Sequence, residues 1–179
     1  QVGEGVKSLA RGDHVVAAFV PSCGHCGPCA ASRPALCEPG FSANNTGTLL
    51  SGSRRLHDEQ GDMHHHLGVS GFADHAVLAA NSLVRVPADL PFAEAALFGC
   101  AVITGVGAVV NTAAMPRGST VAVVGLGGVG LASLLAARML EAPHIVAIDM
   151  NDAKLAVARD FGATATVNAA DPQAGEKVR

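Results

Sequence analysis

The densest group of chemically active side chains in this sequence is a run of four cysteines near its start. The run has the spacing Cys-x2-Cys-x2-Cys-x7-Cys and comprises Cys23, Cys26, Cys29 and Cys37. Four thiolates at this density match one tetrahedral zinc ion with no vacant coordination position, which is typical of a structural metal. Two disulfides or an iron–sulfur cluster could use the same four residues. The spacing therefore predicts a structural zinc lobe over residues 21–40, with these alternatives open.

A glycine-rich hexapeptide, GLGGVG at positions 125–130, is the second candidate site. It follows the apolar stretch 120–124, a predicted strand, and precedes a predicted helix over 129–140. In the pattern G-x-G-x-x-G, glycines permit a tight turn, a close approach of a pyrophosphate to the backbone, and packing of the helix on the strand. The N–H groups at the start of the helix attract phosphate. The segment predicts a dinucleotide site at Gly125, Gly127, Gly128 and Gly130.

An acidic residue completes this pattern. Asp149 lies 19 positions after Gly130, at the end of the apolar stretch 145–148. A carboxylate there accepts hydrogen bonds from the adenosine ribose and repels a 2′-phosphate, so the sequence favours NAD over NADP. Lys154, one helical turn further on, is expected to steady a ribose hydroxyl. The alternative is an ordinary strand–helix–strand unit in which Asp149 only caps a helix.

The elements that must position these residues fall into two groups. Before about residue 88 the pattern is short and rich in loops, with predicted strands over 13–19 and 71–79. Helical patterns follow over 92–98 and 101–114. The chain then alternates apolar strands with helices, and its remaining predicted elements are strands at 120–124, 145–148 and 164–167 and helices at 129–140 and 151–161. This alternation predicts an α/β fold with a parallel, doubly wound sheet, divided into domains 1–100 and 101–179.

Composition narrows the function classes. The 179 residues are 49% hydrophobic and 15% charged with a net charge of -3, which is a globular composition. Only 12 Lys and Arg and no Trp or Tyr are present, which disfavours nucleic acid. The apolar stretches 95–110 and 121–137 fall short of the roughly 20 residues of a membrane-spanning helix. Since no signal peptide pattern opens the chain, a cytoplasmic protein is expected.

The four-cysteine lobe upstream of a dinucleotide fold, together with GCAVITG at 99–105, resembles the zinc-dependent, medium-chain alcohol dehydrogenases. This resemblance implies a β-rich, GroES-like part of a catalytic domain with the structural zinc lobe, followed by the first half of a Rossmann domain. It implies reversible hydride transfer between an alcohol and NAD. It further implies that Cys100 is one of three ligands of a catalytic zinc, and that Thr104 and Val129 line the nicotinamide.

The same resemblance implies that parts of the parent enzyme lie outside this chain. The other two catalytic zinc ligands, a Cys and a His of a Gly-His-Glu segment, and the proton relay would precede Gln1. The rest of the cofactor domain would follow Arg179. The isolated chain is therefore expected to be inactive and its parent to be a homodimer or homotetramer that acts on an alcohol or aldehyde.

Two other functions remain open from the sequence. One is a non-catalytic, zinc-stabilised NAD-binding module, and the other is a quinone or enoyl reductase of the same fold without catalytic zinc. Three adjacent histidines at 64–66 are expected to be solvated or to lie beside a site rather than to bind zinc, because adjacent side chains rarely converge on one ion.

Overall fold

The structure is a computed structural model that describes residues 1–178 of the chain. It divides into two compact units, the first over Gln1–Gly99 and the second starting at Cys100. The first unit is built from short strands and irregular segments. The second unit alternates strands with helices.

The first unit contains two small antiparallel sheets. In one, β1 (His14–Ala17) pairs with β4 (Leu83–Val86). In the other, β2 (Leu56–Asp58) and β3 (Gly61–Met63) form a hairpin. Strand β1 lies within the predicted strand 13–19, whereas the sequence reasoning missed the other three strands.

The predicted strand over residues 71–79 is wrong. This part of the described chain consists of bends and extended segments that pair with no strand. Phe72 and Val77 are exposed, so the apolar residues of the segment do not cover a core. A run of apolar residues favours a strand, but a strand also needs a hydrogen-bonding neighbour.

Two short helices frame the cysteine-rich segment of this unit. Helix α1 covers Gly27–Ala30 and α2 covers Glu38–Thr46. The side chain of Cys37 caps the start of α2, and α2 ends at Gly47, whose φ of 65° is left-handed. Glycine is the residue that adopts this ending with least strain.

The second unit is organised by one parallel sheet. Its strands are β5 (Val121–Val124), β6 (Ile145–Asp149) and β7 (Ala165–Asn168), in the spatial order β5-β6-β7. Helix α5 (Gly128–Met139) connects the first two strands and α6 (Asp152–Asp160) connects the last two. This is the first half of a Rossmann fold, which confirms the predicted α/β class.

Apolar side chains from the sheet and from its helices form the core of this unit. Its buried members are Leu126, Leu134, Ala137, Ile145, Ala147, Leu155, Ala158 and Ala163. A short helix, α7 (Ala174–Lys177), follows β7. Because the three strands run parallel, the carboxyl ends of β5, β6 and β7 lie at the same edge of the sheet.

The helical segment before β5 differs from its sequence prediction. Helix α3 (Phe92–Leu97) and α4 (Ile103–Gly107) are joined by a wider π-type turn at Phe98–Val102, and a second such turn covers Ala108–Thr112. The result is a helical run of 21 residues, Phe92–Thr112, not two separate helices.

By length and composition alone this run could cross a membrane, so the expectation that it is too short was wrong. However, α4 packs closely on α5: a Cβ on Gly105 would lie 2.3 Å from the carbonyl oxygen of Val129. The Ser133 hydroxyl also donates a hydrogen bond to the Gly105 carbonyl at 3.2 Å. Of the window of the run that passes this test, 17% is buried inside the described part of the chain, and one such helix is by itself weak evidence for a membrane span.

Candidate zinc and nucleotide sites

The structure brings together the four cysteines of the predicted zinc lobe. The sulfur atoms of Cys23, Cys26, Cys29 and Cys37 all lie within 4.8 Å of one another. The Sγ atoms of Cys26 and Cys37 are 3.9 Å apart. A tetrahedron with zinc–sulfur bonds of about 2.3 Å has an edge of about 3.8 Å, so this spacing fits one zinc ion. All five cysteines are free thiols, which does not support the two-disulfide alternative.

Backbone N–H groups point at two of these sulfurs. The Cys37 Sγ accepts from the nitrogens of Cys23 and Gly40 at 3.2 and 3.3 Å. The Cys23 Sγ accepts from Cys26 and His25 at 3.3 and 3.5 Å. The backbone N–H of His25, and then that of Cys26, stabilise negative charge on the Cys23 sulfur and lower the pKa of Cys23 to about 6.

The electrostatics of the cluster show why it suits a cation. Burial raises the pKa of the Cys29 thiol, because desolvation penalises its charged form, and the hydrogen bonds with the neighbouring sulfurs act in the same direction. Cys37 is only 1% exposed, so its sulfur is shielded from water. A divalent ion offsets the charge of such a set, and four sulfurs leave it no open position for substrate. The cluster is therefore a structural zinc site rather than a catalytic one.

Gly40 is a supporting residue that the sequence reasoning missed. A Cβ at this position would lie 2.0 Å from the carbonyl oxygen of Pro21, so no larger residue fits without moving the loop. The same residue donates its N–H to Cys37. Its signal in the sequence is only a glycine three residues after the last ligand. His25, by contrast, is exposed, and its ring nitrogen lies 2.9 Å from the Cys23 carbonyl oxygen.

In the second unit, the hexapeptide 125–130 forms the turn between β5 and α5. Gly125 has a φ of 88°, which is left-handed backbone. A Cβ on Gly130 would lie 1.9 Å from the carbonyl oxygen of Gly125, so the protein itself requires glycine there. A Cβ on Gly127 would meet no atom within 4 Å. Packing within the protein does not explain why residue 127 is a glycine, whereas a ligand that approaches the backbone there would explain it.

Asp149 lies beside this turn, at the end of β6. Its Oδ2 accepts a hydrogen bond from the Leu126 nitrogen at 2.7 Å, and its Oδ1 accepts one from Asn151 at 2.9 Å. The Lys154 ammonium is 3.9 Å from Oδ2. The bond from Leu126, then the bond from Asn151 and the charge of Lys154, hold the pKa of Asp149 below its usual value. The carboxylate is therefore ionised and oriented, with 12% of its side chain exposed.

A cleft of about 370 Å³ opens next to these residues. It is lined by Leu126, Gly127, Gly128, Leu131, Asn151, Ala153, Lys154 and Val157. Helix α5 begins there without a side-chain cap, and the first N–H groups of a helix have no intrahelical acceptor. An open glycine, an uncapped helix start and one fixed carboxylate together fit a dinucleotide.

The residues assigned by resemblance to catalysis lie on the packed helices α4 and α5 and in the π-type turn before α4. Cys100 is an exposed free thiol in the π-type turn, and Thr104 and Val129 are exposed on α4 and α5. Over residues 1–178, the four-cysteine cluster is the only group of three or more metal-binding side chains. The described residues therefore do not form a catalytic zinc site around Cys100.

The three histidines at 64–66 behave differently from one another. His64 and His66 are exposed, as expected, whereas His65 is buried with 4% of its surface accessible. The His65 Nε2 accepts a hydrogen bond from the Arg55 nitrogen at 3.0 Å. Burial lowers the pKa of His65, which favours the neutral ring. None of the three joins a metal-binding group in residues 1–178.

Two protein-family models match most of this chain. Residues 1–88 match the family model described as the alcohol dehydrogenase GroES-like domain. Residues 128–179 match the model described as zinc-binding dehydrogenase. The chain belongs to the zinc-dependent medium-chain alcohol dehydrogenase family. The first match covers most of the β-rich unit, and the second covers most of the Rossmann half.

Individual relatives support the same family assignment. The S-(hydroxymethyl)glutathione dehydrogenase of Synechocystis is 39% identical over 171 residues, which are 96% of this chain and 46% of that protein. The structure of an alcohol dehydrogenase zinc-binding domain protein from Burkholderia ambifaria superposes with a TM-score of 0.86 at 36% identity, covering 99% of this chain and 48% of the other. Benzyl alcohol dehydrogenase from Acinetobacter calcoaceticus gives a TM-score of 0.81 at 33% identity, with coverage of 99% and 48%. The chain thus spans about half the length of these dehydrogenases.

Proposed function

We propose that this chain is part of an NAD-linked alcohol dehydrogenase that transfers hydride reversibly between an alcohol and NAD. The observation that carries the proposal is the hydrogen bond from the Leu126 nitrogen to Asp149, which fixes a single carboxylate at the glycine-rich turn. A carboxylate in this place has a partner in an unmodified ribose and repels a 2′-phosphate. Family membership supplies the reaction class.

Within this proposal the second unit binds the adenosine half of the cofactor. Gly127, Gly128 and the start of α5 receive the pyrophosphate, while Asp149 and Lys154 receive the ribose. Val129 and Thr104 face the nicotinamide, as in the family. A bound NAD would supply the hydride acceptor, and Cys100 would be one ligand of a zinc ion that would supply Lewis-acid chemistry at the alcohol oxygen.

The remaining expectations belong to the same proposal. The domains are 1–100 and 101–179, the whole enzyme is a cytoplasmic homodimer or homotetramer, and neither nucleic acid nor a membrane is a partner. The substrate is an alcohol or aldehyde. S-(hydroxymethyl)glutathione and benzyl alcohol, taken from the names of two relatives, are the first two compounds to test.

Two assays test the proposal. The longer protein that contains these residues should reduce NAD with an alcohol, and Cys100→Ser should abolish turnover while Cys23 to Cys37 still bind zinc. The 179-residue chain should bind NADH without turning over any alcohol. Turnover by the short chain that is lost in Cys100→Ser would contradict the expected inactivity.

The alternatives give different results in the same assays. A longer protein that binds NADH but oxidises no alcohol, with or without added zinc, would favour a non-catalytic module. Reduction of a quinone or enoyl compound that is insensitive to Cys100→Ser would favour a reductase of the same fold.

A further inference from the structure

One polar side chain at the nucleotide edge of the sheet has no assigned role. Asn168 is the last residue of β7 and lies opposite Asp149 in the parallel register of β6 and β7. Its Nδ2 donates hydrogen bonds to the Met150 carbonyl oxygen at 3.3 Å and to the Asp152 Oδ1 at 2.7 Å. Its Oδ1 accepts from the Ala170 nitrogen at 2.9 Å. One amide therefore connects the turn after β7 to the turn after β6.

The turn after β6 determines where the ribose-binding groups lie. Met150 and Asn151 join Asp149 to α6, and the Asn151 nitrogen is one of the two donors that orient the Asp149 carboxylate. The Asn151 side chain also caps α6, because its Oδ1 accepts from the nitrogens of Ala153 and Lys154 at 2.9 and 3.4 Å. A shift of this turn would move the carboxylate and the lysine together.

We infer that Asn168 is a positioning residue for ribose recognition. It holds the turn at Met150–Asp152 so that the Asp149 carboxylate and the Lys154 ammonium meet the two ribose hydroxyls. Asn168 does not touch the cofactor itself; it acts through the backbone that carries Asp149. The inference rests on the proposed function, since it presumes that a ribose binds at Asp149.

A comparison of two nucleotides separates positioning from general stability. The chain is titrated with ADP and with 2′-deoxy-ADP, and the dissociation constants are measured by calorimetry or by amide chemical shifts. Asn168→Ala should weaken ADP binding about tenfold, which corresponds to the loss of one well-placed hydrogen bond. For 2′-deoxy-ADP the loss should be clearly smaller, about threefold, because one of the two hydroxyls that the positioned groups would recognise is absent.

Two further variants guard against unfolding and test the chemistry. Asp152→Ala removes one of the two acceptors of Asn168 without changing β7, and it should give a smaller loss in the same direction. Asn168→Asp is nearly isosteric but places a carboxylate against the Met150 carbonyl and Asp152, so at neutral pH it should bind ADP at least as weakly as Asn168→Ala. Thr166→Val is the matched control: it removes the 2.9 Å bond from Arg159 to β7 away from the turn. That control should keep ADP affinity.

The possible outcomes separate the two proposals. If the unmutated chain binds ADP no better than 2′-deoxy-ADP, ribose recognition at Asp149 fails, and the role of Asn168 fails with it. If the unmutated chain prefers ADP but Asn168→Ala weakens both nucleotides equally, ribose recognition stands and Asn168 is only structural.

Discussion

The Asp149 carboxylate accepts a hydrogen bond from the Leu126 backbone nitrogen at 2.7 Å, so the end of β6 is tied to the turn after β5. The carboxylate proposed to bind ribose therefore also fixes the backbone proposed to bind pyrophosphate. A turn that is held by a bond within the protein has fewer conformations to lose when a cofactor binds. Preorganisation of this kind reduces the entropy cost of binding.

The glycine-rich turn gives a paired prediction. Gly130→Ala should destabilise the protein by about 2 kcal/mol or more, because its Cβ would lie 1.9 Å from the Gly125 carbonyl oxygen, a backbone atom that cannot rotate away. Gly127→Ala should change stability by less than about 0.5 kcal/mol, since its Cβ meets open space. It should nevertheless weaken ADP binding about tenfold or more by blocking the pyrophosphate.

Denaturant unfolding and an ADP titration check both variants. Gly175→Ala is a suitable control, because its Cβ would also meet open space and it lies on α7. If Gly127→Ala bound ADP as well as the unmutated chain, the pyrophosphate would not lie against this residue.

The depressed pKa of Asp149 predicts a contribution to stability that depends on pH. The carboxyl pKa is lower in the folded chain than in the unfolded chain, chiefly through the bond from Leu126. The contribution is therefore present above the unfolded pKa of about 3.9 and is lost as pH falls through the folded value. Asp149→Asn should be less stable than the unmutated chain at pH 6, and the difference should shrink in acid.

Melting temperatures between pH 2.5 and pH 6 measure this difference, with Asp89→Asn as an exposed control in the first unit. A gap between Asp149→Asn and the unmutated chain that stays constant across this range would show that the charge of Asp149 does not stabilise the fold.

The parts of the fold that could be predicted from sequence are those with strong local signals. Strands β5 and β6 are continuous apolar runs, and Asn151 caps α6 as its residue type predicts. The four cysteines indicate their cluster by residue type and spacing alone. In each case the residues that define the feature are close together along the chain.

The errors came from contacts that are distant along the chain. The segment 71–79 is rich in apolar residues but pairs with no other strand in the described residues, whereas Leu83–Val86 pairs with β1 about 70 residues earlier. The burial of His65 depends on surroundings that the three adjacent histidines do not reveal. Asn168 has no motif, because its importance depends on a register that exists only once β6 and β7 are paired.

The zinc cluster predicts one metal ion per chain. Metal analysis should give a stoichiometry near one, and Cys37→Ser should lose the ion, because Cys37 is the most buried of the four ligands. His25→Ala should retain zinc, since its ring lies outside the set of sulfurs. Chelation should speed amide exchange across residues 21–47, because this lobe has too few apolar contacts to stay ordered without the metal.

Two results would contradict this prediction. A stoichiometry near zero with all four thiols titratable would remove the metal, and a value near two would indicate a second site outside the cluster. Iron in place of zinc, recognised by its absorbance, would favour the iron–sulfur alternative.

Cofactor preference is the last prediction, and Asp149 should determine it. In the longer protein NAD should be preferred to NADP by at least about a hundredfold in kcat/KM, because the carboxylate gains charged hydrogen bonds from one ribose and repels the phosphate on the other. Asp149→Asn keeps an oxygen that can accept the hydrogen bond from Leu126 but removes the negative charge, so the preference for NAD over NADP should become smaller while the turn keeps its structure. Asp149→Gly removes the hydrogen-bond acceptor as well as the charge, so it should also weaken the binding of NAD and of NADP. Met150→Arg should raise NADP use, because Met150 is 75% exposed and an arginine there can reach a 2′-phosphate. Equal use of the two cofactors by the unmutated protein, or an unchanged preference in Asp149→Asn, would show that this carboxylate does not recognise the ribose.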